Sequence, residues 1–378
     1  LHDINPEAAK RTHEMAKAHM AEKGLTQEII VEGDLKKALK GADFVVISIE
    51  VGDRFALWDL DWKVPQQYGI QQVYGENGGP GGLFHALRII PPILRICAAI
   101  SEHAPSATVF NYSNPMSRIC TTVHRAFPDL TFIGMCHEIA SLSRHLPNLL
   151  GQPLDNIAFR AGGLNHFSVM TECTYVDSGK DAYADVLEKA YDFFKTLPGS
   201  TELLALAREK GEVTETEGWM DVDLSGVASA HGWTERGLFR MILERFKLLP
   251  ITTDSHFGEY AAWAHDAVDH RGILDFYTFY RMQLGQMTPK ISEHLHERVV
   301  PMIDAMLTGN AYIEAAVNIP NRGFIADLPD WIAVEVPARV DGDGVQGEVV
   351  DVPAGIRGLL ANQIGIHNMT AEAILNKN

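Results

Sequence analysis

The chain has 378 residues, 46% of them hydrophobic and 21% charged, which leaves room for two domains or one large domain with an embellishment. Its 49 acidic residues against 32 basic ones give a formal charge of −17, an argument against nucleic acid or an anionic membrane as the main partner. There is no apolar run of roughly 18 residues or more to suggest a transmembrane helix, and four cysteines (Cys97, Cys120, Cys136, Cys173) do not make a disulfide framework, a usage that suits the reducing cytoplasm.

The chain opens on LHDIN, which reads as the end of a strand, and closes on AEAILNKN inside a helical pattern. The expectation is a chain whose first strand and glycine-rich loop are missing. Residues 6–24 are Ala-rich with helical spacing, and residues 42–49 (ADFVVISI) form a β-branched run that reads as a buried parallel strand. Residues 83–100 are helical, with tandem prolines at 91 and 92 expected to kink or break the helix. Short buried strands follow at 108–112 and 131–135, each leading into a helix, at 116–127 and 138–148. This alternation predicts an α/β fold with a doubly wound, Rossmann-like parallel sheet over residues 1–150. In such sheets ligands sit beyond the carboxyl ends of the strands.

Beyond residue 150 the rhythm changes. Strands are expected at 158–162, 169–176, 315–319 and 332–336, and helices at 180–196, 235–247 and across 276–308. This predicts an α+β substrate domain over residues 151–378. Cys97 and Cys120 fall in helical apolar patterns and read as core.

Several polar groups fall where chemistry is expected. Asp3 ends what would be the second strand of a dinucleotide fold, where an acidic residue can bond the ribose of NAD; capping a helix is the other reading. Asn111 and Asn114, in NYSNP, follow a buried strand and can reach a cofactor ribose or a sugar hydroxyl. Cys136-His137-Glu138 sits on a strand end and Asn165-His166 on another, so a thiolate and an imidazole can share one divalent ion. Asp254, His256 and Tyr260 offer candidate bases in a polar cluster that by pattern alone reads as a solvated loop. Gly78-Gly79-Pro80-Gly81-Gly82 matches no nucleotide loop and reads either as a close approach to a ligand or as a flexible connection.

Three segments in order, FNYSNPMSRICTTVHRAFPDLTFIGMCHE, GLNHFSV and VNIPNRGFIADLPDWIAVEVPARVD, resemble glycoside hydrolase family 4. The resemblance implies a glycosidase that uses NAD and Mn2+: oxidation at sugar C3, deprotonation at C2, loss of the aglycone, addition of water and re-reduction. It implies Cys136 and His166 as metal ligands, His137 as acid to the leaving group, and Asp254 or Tyr260 as the C2 base. It also implies Asp3, Asn111 and Asn114 as cofactor contacts, and Asn114, Asn165 and Arg118 as substrate contacts.

Cys-His-Glu looks closest to the branch acting on unphosphorylated α-uronides, the α-glucuronidases and α-galacturonidases, with Arg54, Arg88 or Arg118 to meet the carboxylate. An α-galactosidase or α-glucosidase is the alternative within the family. The implied partner is a small sugar, and the implied assembly a homodimer or homotetramer. From other classes, an NAD-dependent 2-hydroxy-acid dehydrogenase and a cofactor-binding regulator remain open.

Overall fold

The computed structural model describes residues 1–210, 229, 231–286, 291 and 297–377. Among them nine strands join one sheet: β1 (Phe44–Ile47), β2 (Thr108–Asn111), β3 (Phe132–Gly134), β4 (Ile157–Leu164), β5 (Phe167–Tyr175), β6 (Leu249–Pro250), β7 (Tyr312–Pro320), β8 (Ala333–Asp341) and β9 (Gly344–Gly347). Their spatial order is β1-β2-β3-β7-β8-β4-β5-β6, with β9 also on β8. The first three run parallel, as the strand–helix alternation led one to expect. From β3 onward every pairing is antiparallel, so the late strands continue the same sheet.

Helices cover the parallel strands. Pro6–Lys23 starts on Asn5, whose side chain accepts from the backbone of Glu7 and Ala8, and stops at Gly24 in the left-handed region. Gly79–His103 runs unbroken through Pro91 and Pro92, where a kink or break was expected. Its inner face explains why: Ala86, Ile89, Ile90, Ile93, Cys97 and Ile100 are all fully buried. Packing each such side chain is worth roughly 1.5–3 kcal/mol, enough to outweigh the backbone bonds that the prolines cannot donate. By length and composition this helix could cross a bilayer; the fold uses it as a core helix against Val109, Ile119 and Cys120.

Arg54–Gln67 and Ser200–Lys210 are helices that the sequence patterns did not single out, and Ala354–Asn376 extends the helical pattern read at AEAILNKN. Of the helices expected across 276–308, His270–Gln286 and Val299–Thr308 are seen, while residues 287–290 and 292–296 lie outside the described residues.

Three histidines are folded into this framework in neutral form. Burial lowers His124 to about 4, with its Nε2 held 2.8 Å from the Phe132 carbonyl. Burial, then Arg236 and Arg144, lower His145 to about 3. Burial, then Arg118, lower His367 to about 3, and neither of its ring nitrogens has a partner among the described residues. A folded pKa below the unfolded value means that the unfolded chain binds more protons, so stability is full above pH 6.5 and is lost as pH falls. At pH 5 each such histidine costs about 2 kcal/mol. Denaturant titrations at pH 7 and pH 5 should show this loss, and His367→Leu should reduce the difference between the two pH values by about one histidine's share.

Candidate active site

The carboxyl ends of β1, β2 and β3 deliver Ser48, Asn114 and Cys136-His137-Glu138 to one side of the sheet, and the turn between β4 and β5 delivers His166. A cavity of about 410 Å3 opens there. Trp58, Phe276 and Tyr280 form its apolar wall, and Glu76, Glu138 and Glu297 are its carboxylates.

One polar contact joins two strand ends: Cys136 Sγ lies 3.3 Å from His166 Nε2. Leu164 and Phe167 pair across a two-residue turn, and His166 takes a φ of 63° there. The turn is pinned from both sides. Asn165 N donates to Ser117 Oγ at 3.2 Å, and the His166 carbonyl accepts from Thr252 Oγ1 at 2.8 Å. Burial, with His256 and His137 nearby, drives His166 well below its ordinary pKa. Burial, with Glu335 and Glu138 nearby, drives the Cys136 thiol well above its own.

A neutral imidazole and a neutral thiol thus face each other in an acidic pocket. Donor atoms this close can both bind one ion at roughly 2.0–2.3 Å, and a cation supplies the charge that lets the thiol ionise. Glu76, His166 and His256 each bring a ligating atom within 4.8 Å of the others, so further donors stand beside the pair. The residues present fit a divalent first-row metal ion.

The other sequence-derived residues divide into two groups. Asn114 faces the cavity, donates to Glu76 Oε1 at 3.2 Å and leaves its own Oδ1 buried without a partner among the described residues. His137 faces it too, with Nδ1 3.0 Å from Glu297 Oε1; burial opposes its charge, but Glu297 and Glu138 raise its pKa.

Behind the wall, Asn111 donates to the Ser113 carbonyl at 2.9 Å and Asn165 to Glu335 Oε2 at 2.9 Å. Arg118, expected against substrate, is 1% exposed and donates to the carbonyls of Asn77 and Gly79 and to Thr370 Oγ1. Asp254 and Tyr260, the two expected bases, do not line the cavity. Asp254 accepts from the backbone of Leu238, Phe239 and Asp269, and Tyr260 donates to the Asn165 carbonyl at 2.9 Å. Asp3 is exposed and accepts from Asn5 N at 2.7 Å; the cap of the first helix is Asn5 itself.

Two segments that the sequence singled out without a firm role complete the site. The segment around Asp254 is no solvated loop: Asp254, Ser255 and Glu259 are buried, and His256 faces the cavity. Burial opposes the charge on His256, but Glu259, Glu76 and Glu138 raise its pKa to about 9. The glycine run is no flexible connection either. Glu259 Oε2 accepts from three successive backbone N–H groups, those of Glu76 at 2.9 Å, Asn77 at 2.5 Å and Gly78 at 2.8 Å. A Cβ on Gly78 would run into the Glu259 backbone, so glycine is required there.

Residues 1–152 match the family described as "Family 4 glycosyl hydrolase", and residues 161–378 match its C-terminal domain. The chain belongs to glycosyl hydrolase family 4. Among relatives in family 4, an alpha-glucosidase of Erwinia rhapontici is 61% identical over 376 residues, 99% of this chain and 83% of that protein. An alpha-galacturonidase of Bacillus subtilis (strain 168) is 29% identical over 402 residues, 100% of this chain and 83% of that one. The fold is similar to that of a 6-phospho-alpha-glucosidase from gut microorganisms, solved in complex with NAD and Mn2+. That likeness has a TM-score of 0.74 at 18% identity and covers 100% of this chain and 83% of the other.

Asp254 accepts two first-turn N–H groups of the helix Gly237–Phe246, whose N-cap residue is Arg236. Replacing it with Ala strands two buried N–H groups and one part-buried one, and each buried loss costs about 1–3 kcal/mol. Asp254→Ala should lower unfolding free energy by several kcal/mol in a denaturant titration. Unchanged stability would contradict this placement.

Proposed function

We propose that this family 4 chain cleaves a neutral α-glucoside by transient oxidation of the sugar, using NAD and a divalent metal ion, in the first instance Mn2+. The observation that carries the substrate reading is the charge of the cavity wall. Its carboxylates are Glu76, Glu138 and Glu297, and among the described lining residues its one guanidinium is Arg54. That cation is already engaged, 3.5 Å from Glu76, 3.7 Å from Glu50 and over the rings of Trp58 and Tyr280. A uronate or a phosphosugar calls for an available cation, best a bidentate arginine. Arg118 is spent on backbone carbonyls and Arg88 on Asp61. The uronide reading drawn from Cys-His-Glu therefore gives way to the α-glucoside alternative, in keeping with the 61% identical alpha-glucosidase.

When bound, NAD supplies a hydride acceptor for sugar C3 and the metal ion a Lewis acid for the sugar oxygens. This chain's own residues would hold the ion, bind the sugar and supply the proton to the leaving group. Cys136 and His166 would hold the ion, and the unpaired Oδ1 of Asn114 accepts a sugar hydroxyl. His137, held by Glu297, delivers a proton to the leaving oxygen. The wall of Trp58, Phe276 and Tyr280 packs the sugar's apolar face and keeps water out. Neither Asp254 nor Tyr260 enters the proposal, since both side chains are committed to backbone partners behind the wall.

The test compares release from 4-nitrophenyl α-glucoside, α-galactoside, α-glucuronide and α-galacturonide, with and without NAD, Mn2+ and a chelator. The α-glucoside should be cleaved fastest, at least about tenfold ahead of the uronides, a difference of about 1.4 kcal/mol in the barrier. That release should require both NAD and Mn2+. A uronide preference would sink the substrate reading, and release indifferent to NAD and chelator would sink the mechanism.

A further inference from the structure

We propose that Glu335 is the positioning residue that sets the spacing of Cys136 and His166 for one ion, by gripping β7 beside the first and the β4–β5 turn that carries the second. The inference rests on the reading of these two residues as the ion's protein ligands.

Two donors that bind one ion at roughly 2.0–2.3 Å, about 90–109° apart, stand about 3–3.6 Å from each other. Cys136 Sγ and His166 Nε2 stand at 3.3 Å, so the fold itself holds them at an ion's spacing. Their own strands cannot do this alone. Cys136 follows β3 and His166 follows β4, and β7 and β8 lie between those two strands. The register crosses all four on one rung: Gly134 pairs with Asn318, Asn318 with Glu335, and Glu335 with Gly163.

Glu335 bonds the side chains along that rung. Its Oε2 accepts from Asn318 Nδ2 at 3.3 Å, and Asn318 Nδ2 also lies 3.5 Å from the Gly134 carbonyl, two residues before Cys136. The same Oε2 accepts from Asn165 Nδ2 at 2.9 Å, and Oε1 accepts from Ser168 Oγ at 2.8 Å. One buried carboxylate thus holds the turn on both sides of His166. Asn165 bears on the other ligand as well: burial raises the Cys136 thiol, and the Asn165 amide opposes that by hydrogen bonding.

The grip needs reach more than charge. Ser168 Oγ has one proton and two acceptors at 2.8 Å, Glu335 Oε1 and the Leu164 carbonyl. With glutamine at 335, the amide oxygen takes both asparagine N–H groups and the NH2 donates to Ser168 Oγ, whose proton goes to Leu164. Aspartate keeps the charge but is a methylene too short to hold β7 and the turn together.

The test measures Mn2+ binding by the full chain without sugar, following free Mn2+ by electron paramagnetic resonance. Thermal melts in chelator check that each variant folds. The thiolate-to-metal charge-transfer band of the Co2+ form reports whether Cys136 is bound. Glu335→Gln should bind Mn2+ as tightly as the parent. Glu335→Asp should raise the dissociation constant about 10–100-fold, the usual effect of losing a group behind the ligands, and should weaken the Co2+ band per bound ion. If Glu335→Asp does not fold, Asn165→Ser, too short to reach Oε2, replaces it with the same expectation. Parental affinity and a full band in Glu335→Asp or Asn165→Ser, with binding lost in Cys136→Ala, would overturn the role of Glu335 and leave the metal reading standing. So would a loss in Glu335→Gln as large as in Glu335→Asp, since charge would then be what matters. Parental affinity in both Cys136→Ala and His166→Ala would remove the metal reading itself.

Discussion

The site depends on one seam in the sheet, where the parallel strand β3 meets the antiparallel strand β7 at the pair Gly134 and Asn318. A side chain at Gly134 would collide with Met116, with Cys120 Sγ and with Asn318 Cβ, so the strands approach only because this residue has none. Two residues on stands Cys136. From the seam a buried polar chain runs under the cavity. Asn318 Nδ2 lies 3.3 Å from Glu335 Oε2, which also accepts from Asn165 at 2.9 Å, while Glu335 Oε1 accepts from Ser168 at 2.8 Å. Asn165 precedes His166. Cys136 and His166 are thus tied to each other through β7 and β8, as well as meeting across the cavity.

Buried charge is used here to hold backbone. Glu259 gathers three N–H groups of the segment leading into the helix Gly79–His103, and Arg118 gathers two of its carbonyls. Asp254 does the same for a helix start. Hydrogen bonds to charged groups are stronger than neutral ones, and a buried ion that loses them is left without compensation. Such anchors are stiff. They leave the cavity wall to other groups: Glu76, Glu138 and Glu297, the rings of Trp58, Phe276 and Tyr280, and the cations Arg54 and His256.

What could be read from the sequence was whatever local pattern controls. The β-branched runs at Phe44–Ile47 and Thr108–Asn111 announce themselves by pattern; Thr108–Asn111 is buried throughout, while Phe44–Ile47, expected to be buried, is an edge strand with Val46 exposed. Cys136 and His166 stand at strand ends, where ligands to a parallel sheet gather, and they were visible for that reason. The misplacements have a common cause. Arg118, Asp254 and Tyr260 look like chemistry because they are polar amid motifs, yet a buried polar residue serves backbone as readily as substrate, and no local signal separates the two. Glu76, Asn77 and Glu259 stayed hidden because their meaning lies in contacts spanning up to 183 residues. The continuation of the sheet from β3 into β7 was hidden for the same reason.

The order in which the chain is made gives the seam a further meaning. Cys136 and His166 are only 30 residues apart and leave the ribosome almost together. Gly134 waits for Asn318, which is synthesised 184 residues later. At roughly 5–20 residues per second, that delay is on the order of ten to forty seconds. Until then β7 and β8 cannot tie the two strand ends together, and only contacts among residues already made, such as Asn165 N to Ser117 Oγ, connect them.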